Sequence, residues 1–258
     1  MNVLKWDTFV KGNLKNNKPA SMTIGVFDGL HKGHQKLIRK IVNHNANTSI
    51  VMTFKENPRI FFKDRSYPGN VSTLSRKLNT LDSMGIDTVI LIDFSADFSK
   101  LSGQDFFNLI MDNCNLSYLV FGDNFRCGYK GKTDVKLAVS ILKDSGVKVD
   151  TVNMTKFQNQ LISSTRVRDA VSLGDFKEAK RMLGRVFSLD VADIPQTYNG
   201  KAITIEKKNI KQVLPPQGLY VVQIGTSKGF FKGEVLFSTK KIEVALPKKQ
   251  KIDYIKFT

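Results

Sequence analysis

The residues best placed to do chemistry lie in one ten-residue run, Gly25-Val26-Phe27-Asp28-Gly29-Leu30-His31-Lys32-Gly33-His34. His31 and His34 are three positions apart around an expected helix start. Both rings can therefore reach one anion, as hydrogen-bond donors or as imidazolium. Gly29 and Gly33 let the backbone approach a ligand without side-chain obstruction, and the free N–H groups of a helix start favour phosphate. The chemistry such a loop suits is stabilisation of charge on a polyphosphate rather than nucleophilic attack. The same residues also allow a tight strand-to-helix turn with no ligand, or a metal held by the histidine pair. The whole pattern and its place after a strand favour phosphate.

The elements that must position this loop are legible as alternation. From Met22 to about Val152, short apolar runs rich in Val, Ile and Phe alternate with longer amphipathic stretches, as expected of strands and crossover helices in a parallel sheet. The expected strands are Met22 to Phe27, Ser49 to Phe54, Thr88 to Asp93, Tyr118 to Phe121 and Lys148 to Val152. Helices are expected to begin near His34, Ser72, Gly103 and Asp134. In the second of these Leu74, Leu78 and Leu81 recur at three-to-four spacing and give it a core face. Ser164 to Ser172 and Asp175 to Leu183 read as two short helices separated by Leu173-Gly174. Beyond Gly184-Arg185 the pattern turns to strands, Ala202 to Ile205, Leu219 to Ile224, Phe230 to Phe237 and Lys241 to Leu246.

Three further segments fall at expected strand ends or helix starts. Gly122-Asp123-Asn124-Phe125-Arg126-Cys127-Gly128 follows a strand. There Asn124 suits a ribose or phosphate hydrogen bond, or a turn, and Phe125 an apolar wall for a ring system, or the core. In Ser163-Ser164-Thr165-Arg166-Val167-Arg168, hydroxyls, backbone donors and a guanidinium suit a triphosphate. The plainer alternative is Ser164 as a helix cap with Arg168 as a surface charge. Thr53-Phe54-Lys55-Glu56-Asn57-Pro58-Arg59 ends the second strand, with Phe61 and Phe62 just beyond.

The first run resembles the His-x-Gly-His signature of nucleotidylyltransferases. With Gly25, Phe27, Asp28, Gly29, His31, Gly33 and His34 in place, it resembles the bacterial FAD synthetase family in particular. The Gly122 to Gly128 and Ser163 to Arg168 segments resemble two more motifs of that family, and the resemblance runs through about residues 1 to 185. It implies a Rossmann-like α/β nucleotidylyltransferase domain, residues 1–185, that transfers AMP from ATP to FMN to give FAD and pyrophosphate. His31, His34 and Arg168 are the implied catalytic residues, with Gly25, Phe27, Asp28, Gly29, Gly33, Asn124, Ser164 and Thr165 at ATP. Thr53, Phe54, Pro58, Arg59, Phe62 and Phe125 are implied at the flavin. The family usually carries Thr-Phe-x-Pro-His-Pro at the second strand end, and here Glu56 and Asn57 replace the first proline and the histidine while Thr53, Phe54 and Pro58 remain. The resemblance implies Mg²⁺ with ATP but names no metal ligand.

In the same family the next domain is usually a riboflavin kinase barrel, which Leu214-Pro215-Pro216-Gln217-Gly218-Leu219-Tyr220 resembles. Its Pro-Thr-Ala-Asn motif finds only Glu206-Lys207-Lys208-Asn209, with a lysine where the metal-binding threonine belongs. Glu243 is the match to the kinase base. Residues 186–258 are thus expected to be a small, truncated, β-barrel-like domain without kinase activity.

Composition leaves this reading open and narrows others. The chain's 258 residues, 41% hydrophobic, suffice for one large and one small domain. Two cysteines make no disulfide framework or paired metal signature. The N-terminus carries no apolar leader and no stretch is long enough to span a bilayer, so a cytoplasmic protein without a membrane partner is expected. The net charge of +17 suits phosphorylated ligands. Its lysines are scattered rather than gathered in a basic arm, so no nucleic acid partner is expected. The competing readings are a nucleotidylyltransferase for another phosphorylated acceptor and a noncatalytic nucleic-acid-binding module.

Overall fold

In a computed structural model, which describes residues 1–12, 14, 18–44, 48–246 and 248–258, the chain divides into two compact units. The first comprises Met1–Asp64 and Leu74–Leu161, the second Arg65–Thr73 and Ile162–Thr258. The expected boundary near residue 185 differs from this division, in which the helices before it belong to the second unit.

The first unit is built on six parallel strands: β1 (Asn2–Lys5), β2 (Ala20–Ile24), β3 (Thr48–Phe54), β4 (Thr88–Ile92), β5 (Leu116–Gly122) and β6 (Lys148–Val152). Their order across the sheet is β1-β4-β3-β2-β5-β6. Alternate side chains supply two cores. Met22, Ile50, Met52, Ile90, Leu119 and Phe121 lie in one, and Val51, Val89, Tyr118 and Val120 in the other. That is why these strands read as continuous apolar runs. Helix α1 (Lys32–Val42) adds Leu37, Ile38 and Ile41 to the second core, and α2 (Leu74–Ser83) adds Leu81. Helices α3 (Gly103–Asn113) and α4 (Val135–Ile141) cover the other face through Phe107, Ile110 and Ala138.

From β2 the chain winds outward through β3 and β4, then returns to place β5 on the other side of β2. The order therefore reverses between β2 and β5, and in doubly wound sheets ligands bind outside the carboxyl ends of the strands at such a point. The two glycine-bearing segments, 25–33 and 122–128, begin there.

In the second unit, α5 (Ser164–Ser172) and α6 (Phe176–Leu183) accompany a seven-stranded antiparallel sheet, curled as a half-barrel. Its strands are β7 (Ser188–Asp190), β8 (Gln196–Tyr198), β9 (Ala202–Glu206), β10 (Gly218–Thr226), β11 (Gly229–Phe237), β12 (Lys241–Ala245) and β13 (Tyr254–Lys256). Aromatic packing explains why α6 belongs here: Phe176 stacks on Phe257 at 4.2 Å and meets Tyr220 edge-on. Buried Gln212 secures the 65–73 segment. Its amide donates to the carbonyls of Val71 and Ser188, both at 3.0 Å, and its oxygen accepts from Asp190 N–H at 2.8 Å.

The structure corrects several sequence boundaries. Strand β2 stops at Ile24 rather than Phe27, because Phe27 turns into the left-handed region at φ 50°. Helix α1 starts at Lys32 rather than near His34. In the two large sheets the sequence gives no sign of β1, β7, β8 and β13, each only three or four residues long and too short for a clear period.

Candidate active site

The turn after β2 is tightly wound. Phe27, Gly29 and Leu30 all have positive φ, costly at the two non-glycine positions and tolerated because both side chains are fully buried. The turn delivers His31 as the N-cap of α1, where its Nδ1 accepts from His34 N–H at 3.4 Å. The His31 and His34 rings stack with centroids 3.6 Å apart, and Phe27 meets His34 edge-on at 5.1 Å. Gly33 makes the stack possible: a Cβ there would sit 3.2 Å from His31 Cε1 and Nδ1. Gly25 plays the same part for Phe27, whose ring tip would meet its Cβ at 3.2 Å.

The His34 ring is held neutral. Burial, then the neighbouring His31 and then the Lys77 ammonium, push its pKa well below the usual histidine range. Its Nδ1 and the Thr155 hydroxyl are buried without a hydrogen-bond partner among the described residues. An orphaned buried polar atom is costly unless a ligand satisfies it.

Beside this ring lies a cavity of about 530 Å³, open between the ends of β2 and β5. Of the residues singled out in the sequence, Gly25, Phe27, His34, Phe54, Pro58, Phe62, Asn124 and Phe125 line it. Phe94, Phe98 and Phe106 complete an aromatic wall that the sequence did not reveal, since no motif marks them. Phe54 and Phe62 pack against Phe94 at 5.7 and 5.5 Å. Phe62 is 63% exposed at the rim and follows a single helical turn, Pro58–Phe61, capped by Asn57. Phe125 stacks on Phe121 at 4.2 Å, so it is both core and wall. Its loop is pinned where Gly128, at φ 74°, abuts Gly103, leaving 2.7 Å from a built Cβ to Gly103 N. Cys127 lines the cavity too, but burial pushes its thiol up to about 12, which leaves it inert.

Other expected site residues sit outside that lining. Asp28, Gly29, His31 and Gly33 form the turn itself. Thr53 is fully buried, with its hydroxyl donating to the Val26 carbonyl at 3.0 Å, so it braces the wall from behind. Arg59 pairs with Asp64 at 2.7 Å. Lys77, on α2 and 7% exposed, belongs to none of the sequence motifs.

Ser164, Thr165 and Arg168 lie in the second unit. Ser163, not Ser164, is the N-cap of α5, accepting from Arg166 N–H at 3.1 Å. Arg166 pairs with Glu178 of α6. Arg168, 4% exposed, lies over the Tyr67 ring at 4.8 Å, with Nη1 3.5 Å from Thr165 Oγ1; it is no surface charge. Among the described residues no three His, Cys, Asp or Glu side chains gather as a metal site, and no helix is long and apolar enough to cross a membrane.

Comparisons with known proteins agree with this geometry. A protein from Buchnera aphidicola subsp. Acyrthosiphon pisum, described as a bifunctional riboflavin kinase/FMN adenylyltransferase, is 32% identical over 225 residues, 82% of this chain and 70% of its own length. Its counterpart from Buchnera aphidicola subsp. Schizaphis graminum is 30% identical over 221 residues, 82% of this chain and 71% of its own. A crystal structure titled as a macrolide-efflux protein from Streptococcus pneumoniae superposes with a TM-score of 0.81 over 99% of this chain and 89% of its own, at 23% identity, a likeness of fold alone. The family model for FAD synthetase matches residues 13–166. A match of that extent, carrying the histidine turn and the cavity-lining loops, means that the chain belongs to the FAD synthetase family, a family of nucleotidyltransferase enzymes.

Proposed function

We propose that this chain transfers the adenylyl group of ATP to FMN, giving FAD and pyrophosphate, in the cytoplasm. A phosphate oxygen of FMN attacks the α-phosphorus of ATP in line, a new P–O bond forms, and the bond from the α-phosphorus to the bridging oxygen breaks as pyrophosphate leaves. The attacking oxygen is already ionised at neutral pH, so no general base is needed. Catalysis is positioning and charge stabilisation.

The observation that carries the reading is the unpartnered His34 Nδ1, on a ring stacked against His31 at a helix start and lining an aromatic cavity. In this reading His31, His34 and the α1 amides receive the ATP phosphates, brought as the magnesium complex, with Gly25, Phe27, Asp28, Gly29 and Gly33 shaping the turn. Asn124 contacts the nucleotide. Phe54, Pro58, Phe62 and Phe125 hold the flavin, with Thr53 and Arg59 supporting that wall. Ser164, Thr165 and Arg168 are further phosphate contacts.

We also propose that residues 1–185 form the adenylyltransferase domain and that residues 186–258, a truncated kinase-like domain, do not phosphorylate riboflavin. Lys207, at the place of the kinase's metal-binding threonine, lies over the Phe237 ring at 5.6 Å and cannot coordinate Mg²⁺. Glu243, the match to the kinase base, accepts from Lys241 Nζ at 3.0 Å.

Incubation with FMN, ATP and Mg²⁺, with riboflavin in a parallel reaction, tests both proposals. FAD and pyrophosphate are expected from FMN, and no FMN from riboflavin. Absence of FAD sinks the first proposal, and robust FMN accumulation the second. FAD absent but salt-sensitive RNA or DNA binding present would favour the nucleic-acid module.

A further inference from the structure

Lys77 is a lysine in an unusual place. It lies on the core-facing side of α2, 7% exposed, between Leu74 and Leu81 of the same face. Its Nζ donates to the carbonyls of Val26, at 3.2 Å, and Phe54, at 3.0 Å, and to Thr53 Oγ1 at 3.3 Å. The Thr53 hydroxyl in turn donates to Val26 O at 3.0 Å. An ammonium has three N–H groups, and these three oxygens occupy them, so Lys77 has no donor left for a ligand.

What the three oxygens belong to gives the arrangement its meaning. Val26 lies in the turn after β2 that presents the histidines, and Thr53 and Phe54 end β3, from which the aromatic wall departs. Val26 and Phe54 both line the cavity. These are neighbouring parallel strands whose register ends at Ile24↔Met52, so beyond Gly25 N–H, which donates to Met52 O at 3.1 Å, ladder bonds no longer hold the two segments together. Lys77 supplies the tie just past that point.

We infer that Lys77 is a positioning residue for adenylyl transfer, fixing the phosphate-binding turn against the flavin-binding wall by bridging Val26 to Thr53 and Phe54. The inference rests on the proposed function for its substrates. Burial keeps the amine near pKa 8, opposed by the attraction of Asp28, so at neutral pH the bridge is an ammonium. Its charge also helps lower the pKa of His34, after burial and His31, and the His34 ring itself packs against His31 and the Phe27 edge.

The test uses Lys77→Met, Lys77→Arg and Thr53→Val in the full chain, with two readouts. In FAD synthesis, Lys77→Met should lower kcat by about a hundredfold, the scale of an ångström-sized misplacement, and change both KM values less than kcat. Thr53→Val should fall in the same sense by a smaller factor. In NMR titration of the three histidines, the His34 midpoint should move up in Lys77→Met and stay low in Lys77→Arg, a response that a purely structural lysine would not give. A folded Lys77→Met with kcat within about threefold of the parent overturns the inference, as does a His34 midpoint that does not move. If Lys77→Met does not fold, an unchanged kcat in Thr53→Val overturns it. A parent that makes no FAD defeats the functional reading, while the titration still decides whether Lys77 acts on the histidine turn.

Discussion

Two helices begin with the motifs that resemble phosphate sites, and their first turns are built from different groups. At the start of α1 the cap is an imidazole making a long 3.4 Å bond, and the neighbouring His34 Nδ1 is buried with no partner. At the start of α5 Ser163 caps at 3.1 Å, Arg166 is paired with Glu178, and Arg168 lies over Tyr67 with Nη1 3.5 Å from Thr165 Oγ1. Under the proposed function the first turn offers an arriving anion the buried His34 Nδ1. Under the proposed function the second presents a guanidinium already oriented by Tyr67 and Thr165.

The largest effect should come from the unsatisfied turn. His31→Ala removes the cap and half of the ring stack, and should lower kcat for FAD formation by about 10²–10³-fold with little change in FMN affinity. A loss under about tenfold would mean that charge does not develop at α1, and the contrast between the helices would collapse.

Arg168→Lys keeps the charge at α5 but loses the flat packing on Tyr67 and the bond geometry to Thr165. Loss of a hydrogen bond made by a charged group predicts roughly a ten- to hundredfold fall in kcat/KM for ATP. Full activity in this variant would show that fixed orientation contributes nothing there.

Gly33→Ala separates activity from stability. The new Cβ would stand 3.2 Å from the His31 ring and displace it by a few tenths of an ångström. A cost of about 1 kcal/mol at the transition state would slow kcat by roughly five- to tenfold. Alanine favours a helix over glycine by up to about 1 kcal/mol, so the melting temperature should hold or rise. A parallel loss of both quantities would assign Gly33 to folding alone.

The smallest effect is on stability against pH. His34 is neutral in the folded protein, its pKa lowered by burial, by His31 and by Lys77, whereas the unfolded chain takes up that proton near about pH 6.5. Between the two values the unfolded state holds more protons, so stability falls as pH drops below that of a free histidine and is restored as pH rises. Denaturation midpoints of the parent and His34→Ala, compared on either side of that window, should show a steeper acid loss in the parent. Equal slopes would mean that the ring is not held neutral by its surroundings.

How much of this was legible beforehand varies by element. The strands ending at Phe54 and Val152 and the helices from Gly103 and Ser164 fall where periodicity and caps put them, because local patterning is strong there. The cavity's Phe54, Pro58, Phe62, Asn124 and Phe125 were picked out by motif, whereas Phe94, Phe98 and Phe106 lie in segments whose aromatic content looks like ordinary core. Thr53, singled out for the flavin, turns inward because alternation along β3 sends its side chain to Val26 and Lys77. The Arg65–Thr73 segment joined the second unit through Gln212, more than a hundred residues away, which no window of sequence can register.

The amino-acid order by itself determined the alternation of buried strands with amphipathic helices, and the glycine-histidine run set between a strand and a helix. These are local matters of periodicity, sterics and caps. Only the tertiary structure decided that a lysine among the leucines of α2 would be buried. The oxygens that accept its three protons come from Val26, Thr53 and Phe54, 51, 24 and 23 residues earlier in the chain, and an ammonium is tolerable in the interior only where such acceptors have already been brought together.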